Sequence, residues 1–324
     1  MSESKNEYWI IDTHFSDADQ IIIELLTQHL NVVAITTVGR LDINTIQIKM
    51  LIENKLKELN KDNIPVYAGA DRPYVNYQQD LGDEKIHNPY IREECKKDTN
   101  SEVDLNKVAT LKIVELVEKY GKDLNILTTG PLTNLSLVSL LDSSLCSKFK
   151  NLYIAGGSVD NIGNSGNMAE YNFRYDPVAA QIVFRYYSNN ICLIPLEVER
   201  AHSTTLTNNL ELLKSNLGVR TKNLLVEVNN KNSTLDRYNN YTYSNLSLFA
   251  ALVIINPKIL RANSESLQCH IDIIGRKTRG AILIAKYPHV NIFSDKHSHQ
   301  AAIVEIINKL DDKILIESLT RLFS

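Results

Sequence analysis

Asp12, His14, Asp17 and Asp19, four side chains able to bind a cation or carry a proton, fall directly after the apolar run Tyr8–Asp12. Carboxylates that converge on one point repel unless a cation or a proton sits among them. The competing reading is helix capping, because Asp17 and Asp19 stand where an incoming helix favours negative charge. A second group, Asn164, Glu170 and Asn172, lies in a stretch that also holds Gly156, Gly157, Gly163 and Gly166. Asn both donates and accepts and Glu accepts strongly, a mixture suited to sugar hydroxyls; the alternative is a solvated loop. Between them, Thr128 to Asn134 reads as a strand-to-helix turn, with Thr133 or Asn134 opening the helix and little chemical content of its own.

The elements that must position these groups alternate along the chain. Short apolar runs predict strands at Tyr8–Asp12, Val32–Val38, Ile64–Ala68, Leu124–Thr128, Leu152–Ala155 and Ile191–Pro195. Helical spacing marks Asp19–His29, Asn44–Leu59, Val108–Tyr120, Leu132–Leu141 and Pro177–Tyr187. This order predicts an α/β fold with a mostly parallel, Rossmann-like central sheet and helices on both faces. The last third is less regular. Helical stretches are expected near Leu206–Leu213, Thr221–Val228 and Leu246–Ile255, the last stopped by Asn256 and Pro257. A strand pair comes next around Cys269–Ile273 and Ala281–Ala285, then helices at Gln300–Leu310 and Ile314–Phe323. With no repeat and no linker-like boundary, residues 1–324 are expected to form a single domain. Open α/β sheets bind ligands beyond the carboxyl ends of their strands, so the three loops predict one shared pocket.

Composition narrows the function classes. The 324 residues are 44% apolar and 23% charged, ordinary for a globular chain. Thirty-five basic against 38 acidic residues leave a net charge of -3, and no basic stripe with interleaved aromatics supports nucleic-acid binding. The 4 cysteines, Cys95, Cys146, Cys192 and Cys269, share no close spacing and fall in or near apolar stretches, so neither a metal nor a redox motif is expected. No apolar run approaches the ~18 residues of a membrane span, and the polar start shows no signal-peptide pattern, so a cytoplasmic protein is expected.

Several stretches resemble the inosine–uridine-preferring nucleoside hydrolases. Trp9 to Asp12 leads into an acidic loop as in that family, and Pro65 to Pro73 matches its stretch after the third strand almost letter for letter. Gly130 to Asn134, Ile154 to Gly157, Gly163-Asn164, Ala169 to Asn172 and Asp176-Pro177 come after it in order. Asn256-Pro257 and Gly275 to Gly280 extend the match toward the C-terminus. The resemblance implies hydrolysis of the N-glycosidic bond of ribonucleosides at a Ca²⁺ site and, commonly, a dimer or tetramer. It assigns Asn164, Glu170 and Asn172 to the ribose and His87 to an active-site flap. Asp19 and the Thr129 carbonyl fall at metal positions, and Asp12 matches the first Asp of the acidic loop.

The sequence departs from that pattern. His14 stands where the family has the Asp that serves as ligand and base, Ala18 replaces another Asp, and Leu246 and Ser247 replace a His–Asp pair. Ca²⁺ takes 6–8 oxygen ligands, and imidazole suits it poorly, so weak Ca²⁺ binding is expected. The expectation is therefore a nucleoside hydrolase-like protein, catalytically impaired, that keeps part of the ribose pocket and binds a nucleoside-like molecule. One alternative is an active N-glycosidase with a rebuilt site in which His14, beside Asp12, is the base. A softer metal such as Zn²⁺ on His14, or a His14 that only fills space, also remain open. Another alternative is a non-catalytic interaction subunit. His297 and His299 have no nameable partner and are read as solvated.

Overall fold

Tyr8 to Asp12 is apolar up to its last residue, and Leu124 to Thr128 is apolar apart from Asn125 and Thr128, the pattern of strands buried on both faces. The computed structural model, which describes residues 7–40, 43–75, 108–165, 168–187, 190–209, 245–260, 264–285 and 302–323, bears this out. Its strands are β1 (Tyr8–Thr13), β2 (Asn31–Thr37), β3 (Val66–Ala68), β4 (Leu124–Thr128), β5 (Asn151–Ala155), β6 (Ile191–Ile194), β7 (Ser264–Ile271), β8 (Ile282–Ile284) and β9 (Ala302–Ile307). They form one 9-stranded sheet in the order β3-β2-β1-β4-β5-β6-β9-β7-β8. Pairs from β3 to β9 along that order are parallel, and β7 runs antiparallel to both β9 and β8.

The helices are α1 (Asp17–His29), α2 (Thr45–Glu58), α3 (Ala109–Tyr120), α4 (Thr133–Leu141), α5 (Tyr171–Tyr175), α6 (Pro177–Tyr186), α7 (Leu196–Asn208), α8 (Leu246–Ile255) and α9 (Asp312–Phe323). They cover both faces. On β1 the neighbouring Ile10 and Ile11 face opposite cores, as the two-residue period of a strand requires. Ile11 packs with Ile22, Ile52, Phe249 and Leu315 of α1, α2, α8 and α9, whereas Ile10 packs with Ile113, Leu135 and Phe184 of α3, α4 and α6. α8 is buried from Leu246 to Ile254, which explains why it is apolar around its whole circumference. It ends at Asn256, before Pro257, whose ring disfavours a helical residue ahead of it. No helix of the described residues is long and apolar enough to cross a membrane.

Two expectations need correction, and one further element appears. Gln300–Leu310 is not a helix: Ala302–Ile307 is β9, wedged between β6 and β7. Its burial alternates, with Ala302, Val304 and Ile306 inside and Ile303 and Glu305 outside, and cross-strand pairing on both sides overrides an apolar spacing that also fits a helix. The helix expected from Leu206 begins at Leu196, while residues 210–213 and the stretch 221–228 lie outside the described residues. The short α5 was not anticipated; Glu170 caps it, accepting from the Asn172 and Phe173 N–H groups.

The β9 assignment has a direct test. Ile303 and Ile306 would share a helix face, yet here one is 43% exposed and the other fully buried. Ile306→Ala is expected to cost ~2–5 kcal/mol of unfolding free energy and Ile303→Ala no more than ~0.5 kcal/mol, read from urea midpoints. Equal losses would contradict the strand.

Candidate active site

Reading outward from the centre of the sheet, the strand order reverses between β1 and β4, which places a crevice at their carboxyl ends. Asp12 lies there, in register with Thr36 on β2 and Thr128 on β4. Its carboxylate is fully buried; Oδ1 accepts from the Thr36 hydroxyl at 2.6 Å and from Asn134 Nδ2 at 2.7 Å. Asn134 also donates to the Thr37 carbonyl at 2.9 Å and accepts from the Ala70 N–H at 2.8 Å. One amide thus ties β1, β2, the loop after β3 and α4 together. Asp12 Oδ2 is buried and has no hydrogen-bond partner among the described residues. Burial pushes the Asp12 carboxyl from its ordinary 3.8 to about 6, against the lowering effect of Thr36 and Asn134.

After β1 the chain turns through Phe15, a buried residue with φ of 59°, a left-handed conformation that costs a non-glycine residue of order 1 kcal/mol. The turn is held by the Phe15 N–H on Thr13 Oγ1 at 2.9 Å. Ser16 then caps α1, donating its N–H to Asp19 Oδ2 at 2.7 Å and accepting the Asp19 N–H on its hydroxyl at 3.2 Å. The Ser247 hydroxyl, from the first turn of α8, donates to Asp19 Oδ1 at 2.7 Å. Both oxygens of this fully buried carboxylate are therefore engaged by neutral donors, and His14 Nδ1 stands 3.5 Å from Oδ2. The capping role read for Asp19 is present. Asp17, in the same first turn, accepts from Gln20.

His14 lies where three loops meet. Its backbone presses on Gly130 so closely that a Cβ there would come within 3.0 Å of the His14 nitrogen, and its ring faces Tyr171 at 6.2 Å between centroids. Tyr171 in turn packs against Tyr175 at 5.9 Å.

The Gly-rich segment folds around Glu170. Gly157, at φ of 79°, donates its N–H to Glu170 Oε2 at 3.0 Å, and the Asn172 N–H reaches Oε1 at 3.0 Å. Burial raises the Glu170 carboxyl from its ordinary 4.5 to about 7; the three backbone N–H groups oppose this and the charge of Glu199 adds to it. Asn172 gives Nδ2 to the Thr129 carbonyl at 3.1 Å, and the Thr129 N–H bonds the Asp12 carbonyl at 2.9 Å. Asn164 Oδ1 accepts from the Tyr171 N–H at 2.9 Å. α7 braces the loop: Glu197 accepts from Ser158, Val159 and Asp160, and Arg200 holds Asp160 and the Ile162 carbonyl. Glu199 accepts the Asn245 N–H at 2.5 Å, next to Leu246 and Ser247. The oxygens Asn172 Oδ1, Thr129 Oγ1 and Asn245 Oδ1 are buried with no hydrogen-bond partner among the described residues.

Asp12, His14, Asp19, Thr129, Asn164, Glu170 and Asn172 thus come together through a continuous set of contacts. His87, His297 and His299 lie outside the described residues. Sequence reasoning missed Asn134, Thr36, Glu199 and Asn245. Asn134 was visible within the Gly130-to-Asn134 motif but was assigned only to the turn; in the fold it is fully buried and holds Asp12.

Two measurements test these carboxylate environments. Asn134→Ala removes the second donor to a buried carboxylate and two backbone partners, and is expected to cost at least ~2 kcal/mol in denaturant unfolding. Glu170, with its folded pKa raised, contributes stability that is present below about 4.5 and lost as pH rises through about 7. The stability of Glu170→Gln relative to the wild type should therefore improve over that window, by up to ~3 kcal/mol; a constant difference across pH would refute the shift.

Comparison with known proteins gives the family and the fold. The family model of the inosine-uridine preferring nucleoside hydrolases covers residues 9–317. Uridine nucleosidase 1 of Arabidopsis thaliana is 31% identical over 193 residues, 56% of this chain and 54% of that protein. The inosine-uridine preferring nucleoside hydrolase of Crithidia fasciculata is 24% identical over 226 residues, 67% of this chain and 68% of that one. The matched region spans about half the length of the first of these relatives. Two solved structures share the fold at a TM-score of 0.75: the plant nucleoside hydrolase PpNRh1, 18% identical, with 99% of this chain and 100% of that one covered, and an inosine-guanosine nucleoside hydrolase, 23% identical, with 98% and 99% covered. The chain belongs to the inosine-uridine preferring nucleoside hydrolase family.

Proposed function

We propose that this chain hydrolyses the N-glycosidic bond of a ribonucleoside-like substrate, with His14 taking the place of the family's carboxylate base. The observation that carries this reading is the His14 Nδ1 set 3.5 Å from the buried Asp19 carboxylate, beside the Asn164–Glu170–Asn172 loop. In this scheme Asn164, Glu170 and Asn172 hold the ribose hydroxyls. The Asp19 carboxylate, 3.5 Å from Nδ1, stabilises the imidazolium formed when a ring nitrogen of His14 accepts a proton from the attacking water. The water oxygen bonds the anomeric carbon as the bond to the base breaks, through an oxocarbenium-like state favoured by the surrounding oxygens. Asp12 and Asn134 act through geometry, fixing the carboxyl ends of β1 and β4.

The Ca²⁺ implied by the family is a poor fit to these residues. Asp19 has both oxygens committed to Ser16 and Ser247, the Thr129 carbonyl already accepts from Asn172, and position 247 offers a hydroxyl in place of a charge. Among the described residues no group of three His, Cys, Asp or Glu side chains is arranged to hold a metal ion. A hard cation of this kind needs 6–8 oxygens, several of them anionic in tight sites. The same donor set supports a slower enzyme than relatives with a full acidic loop, and in the limit a ribose-binding protein without turnover.

The test is base release from inosine and uridine by the full chain, with and without chelator. Turnover that persists in chelator and falls ~10²–10⁴-fold in His14→Ala, with an unchanged circular-dichroism spectrum, is the expected result. Turnover abolished by chelator, or indifferent to His14→Ala, removes the proposed base.

A further inference from the structure

Asp12, Asp19 and Glu170 are buried carboxylates whose hydrogen-bond partners are hydroxyls, amides and backbone N–H groups, with His14 the only side chain of basic type beside them among the described residues. Among those residues no Lys or Arg pairs with any of the three. Arg40, on the loop after β2, gives Nη1 to the Phe15 carbonyl at 3.4 Å. Burying charge without a counter-charge is costly, a cost that either a proton on the carboxylate or a bound cation relieves. Glu199 adds a fourth carboxylate whose charge acts on Glu170.

A second, independent feature is a set of orphaned acceptors. Asp12 Oδ2, Asn172 Oδ1 and Asn245 Oδ1 are acceptor atoms, each buried without a hydrogen-bond partner among the described residues, on side chains at least nine-tenths buried. Asn245 precedes α8 as its cap, yet its side chain makes no capping bond, which leaves that oxygen for something else. A third feature is aromatic: the His14 and Tyr171 rings lie 6.2 Å apart, with the buried Tyr175 packed on Tyr171, and an aromatic face attracts a flat cationic ring by stacking and by cation–π interaction.

We propose that the preferred ligand of this pocket is a positively charged N-riboside, in which ribose is joined to a quaternised planar heteroaromatic nitrogen of the pyridinium or N7-alkylated purine type. The proposal rests on the N-ribosyl hydrolase reading above and specifies its substrate class. The chemistry closes without a leaving-group acid. A water oxygen bonds the anomeric carbon, and the carbon–nitrogen bond breaks with its electron pair going to the ring nitrogen. The heterocycle leaves neutral, and one water proton passes to His14 and then to solvent. Leu246, which supplies no proton, is no handicap for such a leaving group. The ribose hydroxyls supply donors to the orphaned oxygens, and the charged ring supplies a counter-charge that no Lys or Arg among the described residues provides.

The experiment compares adenosine with 7-methyladenosine, which differ by one methyl group and one charge, using chelator-treated full chain. Binding is measured by calorimetry on His14→Ala, and turnover on the wild type is divided by each compound's spontaneous hydrolysis rate, since the methylated compound is intrinsically more labile. The expected result is binding of 7-methyladenosine about tenfold or more tighter than adenosine, and a larger rate enhancement over the spontaneous reaction. If His14→Ala fails to fold, the corrected wild-type rates decide alone. Equal or weaker binding, or an equal or smaller enhancement, for the charged compound overturns the substrate class while leaving the hydrolase reading intact. Folded protein that neither binds nor cleaves either compound overturns both.

Discussion

The Asp12 carboxylate, sealed in the middle of the sheet, depends on two neutral donors from different elements. Thr36 comes from the neighbouring strand and Asn134 from the helix across the crevice, and Asn134 extends the tie to the Thr37 carbonyl and the Ala70 N–H. A buried charge cannot be left with water-like freedom, so the strand ends and the loop after β3 are fixed relative to one another by the need to keep that oxygen bonded. The Gly130 turn, His14 and Thr129 are built on that fixed frame, with Thr129 bonded directly to the Asp12 carbonyl.

A second carboxylate organises the rest of the crevice. Asp19 begins as a helix-capping residue, a role set by local geometry, and then meets Ser247 from a helix far away in sequence. With a hydroxyl at 247 the pair forms a hydrogen bond where two carboxylates would repel each other without a cation between them. Beside Asp19 stand an imidazole at 14 and a hydroxyl at 247, and the carboxylate is met by the neutral donors of Ser16 and Ser247. Glu170 shows the complementary solution, a carboxylate wrapped by backbone N–H groups from a loop whose glycines allow the approach.

These arrangements leave several acceptors of the crevice without a partner among the described residues. Three of its oxygens on Asp12, Asn172 and Asn245 have no partner among the described residues, an uncommon state for buried polar atoms. Such atoms are stabilised by a ligand that brings donors, and sugar hydroxyls meet that requirement. α7 and the first turn of α8 close the rim with Glu197, Glu199 and Asn245, residues whose importance is electrostatic and positional.

The sequence by itself determined the parallel α/β architecture, since alternating buried strands and amphipathic helices leave few other ways to bury both faces. It also determined the three loops that share a crevice, because in such sheets the residues directly after the strands collect at one edge. Asp12, His14, Asp19, Glu170 and Asn172 were legible for that reason. The tertiary structure alone decided that Ala302–Ile307 is a strand, because its pairing with β6 and β7 outweighs an apolar spacing compatible with either element. It alone decided that Asn134 holds Asp12 and that Ser247 and Asn245 belong beside Asp19 and Glu199, for these contacts join residues 122, 228 and 46 positions apart. Hydrogen-bond partnership depends on distance in space, and local composition carries no record of it.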